Sequence, residues 1–382
     1  METMQPTLKN GRYAWDRVNM PEAEFQERAR RITKAMREKK IDVLLLYGNT
    51  FNEYGNPCYV TNFVMRLQRG VLAAITRRGD VTLIFDGAPR GLPTVRKMTW
   101  AKEHRACADV SQECVKYLTE KKLIPSRVGF AGIRQFMPNQ QFRFLSDALA
   151  GCTVIDADPL INEMRMVKSR KECDQIQRAS RILTQAFGYL FETPFPGTTE
   201  RGVEAMLCRE SRLEGAEDFR MMIGRPMQRT WAFRPAEENS FSPGETVLIY
   251  LAVAFERYWA EAARTYVVKG SSLEQVQGDL LNNLYGQRLK EMAPGKSASQ
   301  FYRETMAELK KAGFEYISDY GLGHGIGLGI KERPLLTDEE DTPLKEGMCL
   351  SLQLLIRDKA LGAVMLGNTL RLTKKGAEVL TV

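Results

Sequence analysis

Apolar positions change period along the first 160 residues. Residues 21 to 40 place them at helical spacing and predict an amphipathic helix, whereas residues 41–47 form an apolar run suited to a buried strand. Residues 70–76 and 80–85 predict two further strands divided by a turn. Helices are expected over 110–122 and 136–150, with short strands at 127–130 and 153–156 between and after them. Strands alternating with helices argue for an α/β layer. A turn at Asp158-Pro-Leu160 ahead of a long helix starting after Ser169 puts a domain boundary there, giving domains 1–160 and 161–382. Ser169 with Glu172, and Ser297 with Gln300, stand at capping-box spacing. Later helices are expected to begin near Ser272 and at Ser297, the last ending at Gly313.

The 382 residues, 43% of them apolar, suffice for two domains with sizeable cores. No apolar run is long enough to span a bilayer, and the start Met1-Glu-Thr-Met-Gln-Pro lacks the basic and apolar regions of a signal peptide. A cytoplasmic location and no membrane partner are expected. The seven cysteines are scattered, odd in number and without C-x-x-C pairing, so they read as reduced thiols packed as small apolar groups. The net charge of +8 is spread along the chain with no arginine-glycine tract or lysine tail, which fits a solvated surface and makes nucleic acid an unexpected partner. Arg220, Arg225, Arg229 and Arg234 lie close together in the sequence, and an anionic small molecule explains them better than DNA.

Candidate chemistry concentrates in the run Gly321-Leu-Gly-His-Gly-Ile-Gly-Leu-Gly-Ile-Lys-Glu-Arg-Pro334. It holds His324, and the only other histidine is His104. A backbone rich in glycine admits close approach of a strand or ligand, and an imidazole there is usually aimed at something. Other segments follow in a fixed order around it: Lys168-Ser-Arg-Lys-Glu172, Phe195-Pro-Gly-Thr-Thr-Glu200, Gly244-Glu-Thr-Val-Leu-Ile-Tyr-Leu251, Tyr258-Trp-Ala-Glu-Ala-Ala-Arg-Thr265, Gly347-Met-Cys-Leu-Ser-Leu-Gln353 and Gly362-Ala-Val-Met-Leu-Gly-Asn-Thr-Leu370. In order and spacing these resemble the pita-bread fold shared by methionine aminopeptidase, prolidase, aminopeptidase P and creatinase, over most of residues 160 to 382. The first half looks like the creatinase/prolidase N-terminal domain. The resemblance implies an α/β (α+β) chain, with that α/β domain followed by a C-terminal pita-bread domain.

The resemblance also shows what has changed. Where the family carries its first metal aspartate this chain has Tyr250, and where it carries the second, Glu261. His324 keeps the histidine ligand position, the second histidine position is Lys331, the third carboxylate has become Gln353, and the last falls on Gly367. Carboxylates crowded together without cations repel one another, so loss of metal favours loss of the carboxylates. His324 and Glu261 are too few ligands for a catalytic metal site. No active-site metal and no cofactor are expected.

His324 and Glu261 are the expected catalytic pair, His324 for proton transfer and Glu261 to orient it or bind a cation, although Glu261 could equally pair with Arg264. Tyr250 and Gln353 point into the pocket if strand alternation follows the family. Arg225, Arg229, Arg264 and Lys331 are candidates to hold a substrate carboxylate. Trp231 or Ala232 stands where many relatives carry a histidine, ahead of Arg234-Pro235. Cys349 shares strand parity with Gln353, and a nucleophilic role competes with inert packing. Creatinase-type relatives are dimers in which the N-terminal domain covers the partner's pocket, which makes Phe63 and Arg66 candidates across an interface, with a core Phe and a surface Arg as the alternative. Three functions fit: a metal-independent, creatinase-like hydrolase or lyase cleaving a C–N or related bond in a small carboxylated, amino-acid-like substrate, anionic or zwitterionic; a catalytically silent pita-bread module binding a protein, peptide or RNA partner; and an atypical Xaa-Pro metallopeptidase.

Overall fold

The computed structural model describes residues 14–50, 53–64, 69–192, 197–268 and 273–381. The chain divides into two compact units, Met1–Arg165 and Met166–Val382. The division falls at the end of a helix, Asp158–Met166, rather than at residue 160, because Asp158-Pro-Leu160 opens that helix instead of forming a turn. Proline in a first helical turn costs nothing, since its missing N–H would have no intrahelical partner there.

In the N-terminal unit a six-stranded mixed sheet runs β4-β3-β2-β1-β5-β6. The strands are β1 (Val43–Asn49), β2 (Gly70–Thr76), β3 (Val81–Asp86), β4 (Glu103–Cys107), β5 (Arg127–Ala131) and β6 (Thr153–Asp156). The central strand β1 pairs antiparallel with β2, Val43 opposite Thr76, and parallel with β5, Val43 opposite Val128. Being hydrogen-bonded on both edges, it is apolar on both faces. Helix α1 (Glu22–Glu38) buries Phe25, Ala29, Ile32 and Met36, the stripe its periodicity predicts. Around the sheet stand α2 (Gly55–Thr61), α3 (Leu92–Met98), α4 (Val110–Glu120), α5 (Ile133–Phe136), α6 (Asn139–Ala148) and α7 (Asp158–Met166). Asp109 caps α4 by accepting from the Ser111 and Gln112 amides.

The C-terminal unit is built on an eight-stranded antiparallel sheet of order β11-β10-β12-β13-β9-β8-β7, with β14 also on β13. Its strands are β7 (Asp218–Gly224), β8 (Thr246–Phe255), β9 (Tyr258–Val267), β10 (Gly323–Gly325), β11 (Glu332–Leu335), β12 (Cys349–Asp358), β13 (Gly362–Thr373) and β14 (Gly376–Val379). The helices are α8 (Arg170–Glu192), α9 (Glu200–Leu213), α10 (Leu273–Glu291) and α11 (Ala298–Lys311). Val247, Ile249, Leu251 and Val253 of β8, with Ala260 and Ala262 of β9, pack on Ala179, Leu183 and Ala186 of α8. Leu350, Leu352 and Leu354 of β12 pack with Phe301 and Leu309 of α11. Strand alternation therefore turns Tyr250, Glu261, Ser351 and Gln353 to the opposite face.

The caps behave unequally. Ser169 and Glu172 form the reciprocal pair, the Ser169 amide donating to Glu172 Oε2 at 3.0 Å and the Glu172 amide to Ser169 Oγ at 3.2 Å. Ser297 accepts from the Gln300 amide, but the Gln300 side chain is drawn to Glu304, so only half of that box forms. Ser272, Phe195 and Pro196 lie outside the described residues. Among the described residues no helix is long and apolar enough to cross a membrane.

Candidate functional site

The site is a set of side chains aligned by strand register. Tyr250 on β8 lies opposite Ala263 on β9, Ala263 opposite Gly367 on β13, and Gly367 opposite Gln353 on β12, so two long polar side chains flank two small residues. One pleat away, Glu261 is fixed through its backbone: its N–H donates to Thr369 Oγ1 at 2.9 Å while that hydroxyl donates to its carbonyl at 2.8 Å. His324 reaches the same place from β10, where it lies opposite Ser351. The glycines beside it are required by packing. A Cβ on Gly323, at φ 147°, would sit 1.9 Å from the Ser351 carbonyl oxygen, and one on Gly325 would sit 2.2 Å from that of Arg333.

Glu261, 1% exposed, is the hub. Tyr250 Oη donates to Oε2 at 2.5 Å, and Gln353 Nε2 donates to Oε1 at 2.6 Å. His324 Nε2 lies 3.3 Å from Oε1. Burial, followed by the negative charge of Glu261, pushes the Tyr250 phenol well above its ordinary value, so it remains a proton donor. His324 Nδ1 is 3.0 Å from the Gly325 carbonyl, an acceptor only, so Nδ1 carries a hydrogen. Nε2 therefore faces a carboxylate oxygen.

These groups form the floor of a cavity of about 580 Å³ whose wall includes Trp231, Phe233, Leu355 and Met365, with Lys331 among its lining residues. A few convergent polar groups against apolar walls are the ordinary composition of a small-molecule site. The structure thus brings together His324, Glu261, Tyr250, Gln353, Trp231 and Lys331.

Other candidates are placed elsewhere. Arg225 donates to Glu200 at 2.8 Å and to Glu245 at 2.5 Å, and Arg234 also binds Glu200, so both serve a carboxylate buried at the start of α9. Arg264 points to the helix-covered face, 6% exposed, donating to the Gly367 and Thr381 carbonyls and to Asn368. Burial there lowers its pKa to about 10, and its guanidinium lies 5.2 Å from the Phe187 ring centre. Its partners leave it away from Glu261 and outside the cavity lining. Arg229 is exposed and outside the cavity lining, and Arg220 lies over the Trp259 ring. Phe63 is buried against Phe85 in the N-terminal unit, at a centroid distance of 5.7 Å. Arg66 lies outside the described residues. Cys349 is buried with its sulfur 3.9 Å from that of Cys173; that contact and burial push its thiol well above the usual range, which unsuits it as a nucleophile. Residues that sequence reasoning missed are Thr369, the backbone clamp of Glu261, and the aromatic wall residue Phe233.

Residues 174–374 match the model of metallopeptidase family M24, and residues 28–167 match that of the creatinase/prolidase N-terminal domain. The chain belongs to metallopeptidase family M24. It is 26% identical over 227 residues to the Xaa-Pro dipeptidase of Pyrococcus horikoshii, a stretch covering 59% of this chain and 65% of that protein. It is likewise 26% identical over 231 residues to the Xaa-Pro dipeptidase of Lactobacillus delbrueckii, 59% of this chain and 62% of the relative. The matched stretch thus spans just under two thirds of the length of these relatives. Among solved structures, the prolidase of Pyrococcus horikoshii superposes with a TM-score of 0.78 at 22% identity, covering 93% of this chain and 98% of that one. The X-Pro aminopeptidase of Thermotoga maritima gives 0.79 at 22%, covering 93% and 97%. At such identities the superpositions establish the fold.

The family name implies metal, and the donor set does not fit a pair of divalent cations. Of the four aligned carboxylate positions only Glu261 keeps its acid, and both its oxygens are already engaged; the other acid of the cavity lining, Asp319, lies in an exposed turn. Tyr250 is held as a neutral phenol and Gln353 is a neutral amide. At Gly367 an added Cβ would lie 3.1 Å from Gln353 Cγ and 3.2 Å from Ala263 Cβ, so an acid there would require Gln353 and Ala263 to give way by a few tenths of an ångström. Among the described residues no three His, Cys, Asp or Glu side chains group as a metal site would need.

Proposed function

We propose that this chain is an M24-type hydrolase that cleaves the C–N bond of a small, peptide-like zwitterion, with His324 and Glu261 as the proton-transfer pair. The observation that carries the reading is the convergence of Tyr250, Gln353 and His324 on one buried carboxylate at the floor of a cavity. The names of the curated relatives support dipeptides of Xaa-Pro type as the substrate class to try first, ahead of creatinase-like compounds. Lys331, exposed at the cavity, is suited to a substrate carboxylate, and Trp231 and Phe233 to an apolar side chain.

In this scheme Tyr250 and Gln353 hold Glu261 in one orientation, which is the pre-organisation that makes proton transfer efficient. Water adds to the carbonyl carbon and gives its proton to the His324–Glu261 pair. The C–N bond breaks, and the pair returns that proton to the departing nitrogen, leaving a carboxylic acid and an amine. A homodimer in which the N-terminal unit covers the partner's pocket belongs to the same proposal, without Phe63, whose burial against Phe85 makes it a core residue.

A second reading, an Xaa-Pro metallopeptidase with an atypical ligand set, is favoured by the relatives' activities and opposed by the donor set. Purified protein incubated with a panel of Xaa-Pro and other dipeptides, with and without chelator, separates the two. The proposal expects amino-acid release that survives chelation and falls by roughly a hundredfold or more in His324→Ala. Activity abolished by chelator and restored by manganese or zinc would establish the second reading. Ligands that raise the melting temperature of wild type and variant alike without turnover would make the chain a binding module and sink both.

A further inference from the structure

A cavity of about 680 Å³ lies in the N-terminal unit, well within the size range of small-molecule sites. It opens between the β2–β3 turn, the approach to β4 and the last turn of α4. Five cations line it: Arg77, Arg78, Lys102, Lys121 and Lys122. Two are neutralised locally, Arg77 by Asp42 at 3.0 Å and Lys121 by Glu103 at 3.1 Å. Asp80, the remaining acid of the lining, is within 3.2 Å of the Thr76 hydroxyl. Among the described residues Arg78, Lys102 and Lys122 make no ion pair with a carboxylate.

Helix polarity accounts for part of this. Lys121 caps the C-terminus of α4 and Lys122 follows it, where cations complement the helix dipole. It does not account for Arg78 in a strand turn or Lys102 in a loop, which face the same space from two other elements. The cavity also has a fixed aromatic edge. The indole N–H of Trp100 donates to the Val60 carbonyl at 2.6 Å, and the ring stacks on Phe25 at a centroid distance of 6.2 Å and an interplanar angle of 18°. A held, half-buried ring beside three uncompensated cations suits a ligand that is planar at one end and multiply anionic at the other.

We propose that this cavity is a second binding site, specific for a phosphate-bearing small molecule of the nucleotide type. It lies wholly within the N-terminal unit and does not depend on the activity proposed for the C-terminal one. Isothermal titration of the full chain with ADP and, separately, with pyrophosphate at low ionic strength tests it. The expected result is micromolar binding of ADP, tighter than pyrophosphate because only ADP offers a ring to Trp100, and weakening as salt rises. The double reversal Arg78→Glu/Lys102→Glu, both exposed and outside the core, should weaken ADP roughly tenfold or more and leave the circular dichroism spectrum unchanged. Lys331→Ala should leave ADP affinity untouched. The proposal is overturned if ADP gives no heat at millimolar concentration, if the double variant binds equally well, if Lys331→Ala abolishes binding, or if a single-stranded oligonucleotide displaces ADP at far lower concentration.

Discussion

Removing one hydroxyl from the hub tests whether Glu261 is held as described. Tyr250→Phe deletes the donor 2.5 Å from Glu261 Oε2 and leaves the ring in place, so the change isolates a hydrogen bond from packing. A hydrogen bond to a charged acceptor contributes roughly 1.5–3 kcal/mol, and Glu261, 1% exposed, has little water to replace it. Taking about 2 kcal/mol for the loss, a domain of this size melts roughly 4–8 °C lower. Differential scanning calorimetry reads that shift, and a double-mutant cycle identifies its origin. In a Glu261→Gln background the acceptor is neutral, and the same Tyr250→Phe change should cost only about 1 kcal/mol, giving a coupling energy of about 1 kcal/mol. Melting temperatures unchanged within a degree in both backgrounds would refute the idea that the phenol and the acid form one unit.

Three further variants test where the structure places other residues. Arg225→Ala should destabilise the C-terminal unit by about 1.5–3 kcal/mol, because Glu200 is fully buried and would lose one of its two guanidinium partners. Lys331→Ala, on an exposed side chain, should change stability by less than about 0.5 kcal/mol while raising KM for a carboxylated substrate; urea melts and steady-state kinetics on both variants decide this. Restoring an acid by Gly367→Asp should lower stability by about 1–3 kcal/mol through contact with Gln353 and Ala263, without recruiting metal. Elemental analysis after dialysis against manganese or zinc would overturn the latter with one bound ion per chain.

Much of this was legible in the sequence because strands and glycines leave strong local marks. The run around His324 announced close backbone approach, and Gly323 and Gly325 are indeed pressed against neighbouring carbonyls. Strand parity placed Tyr250 and Gln353 on one face with Glu261. The same parity argues against Arg264, three residues from Glu261 and hence on the opposite face. Arg225 could not have been excluded in this way, since its partners Glu200 and Glu245 lie 25 and 20 residues away and such pairings follow from tertiary packing alone. Strand β4, with Glu103, His104 and Arg105, and helix α2, with Gly55 and Pro57, also escaped sequence reasoning. Their composition argues against the structure they adopt, and pairing with β3 and burial beside β1 override it.

The clamp on Glu261 also constrains the order in which the molecule is put together. Tyr250 is only 11 residues from the acid and meets it across a β8–β9 hairpin, whereas Gln353 is 92 residues further along the chain. The hairpin contact closes a short loop and can form early; the amide contact must await β12, a long-range closure of the kind that slows folding. A chain whose β12 has not yet docked would have the acid on its phenol and lack its amide. A perturbation that undocks β12 would then remove the amide and leave the phenol, so the two contacts of one acid report on different reaches of the chain.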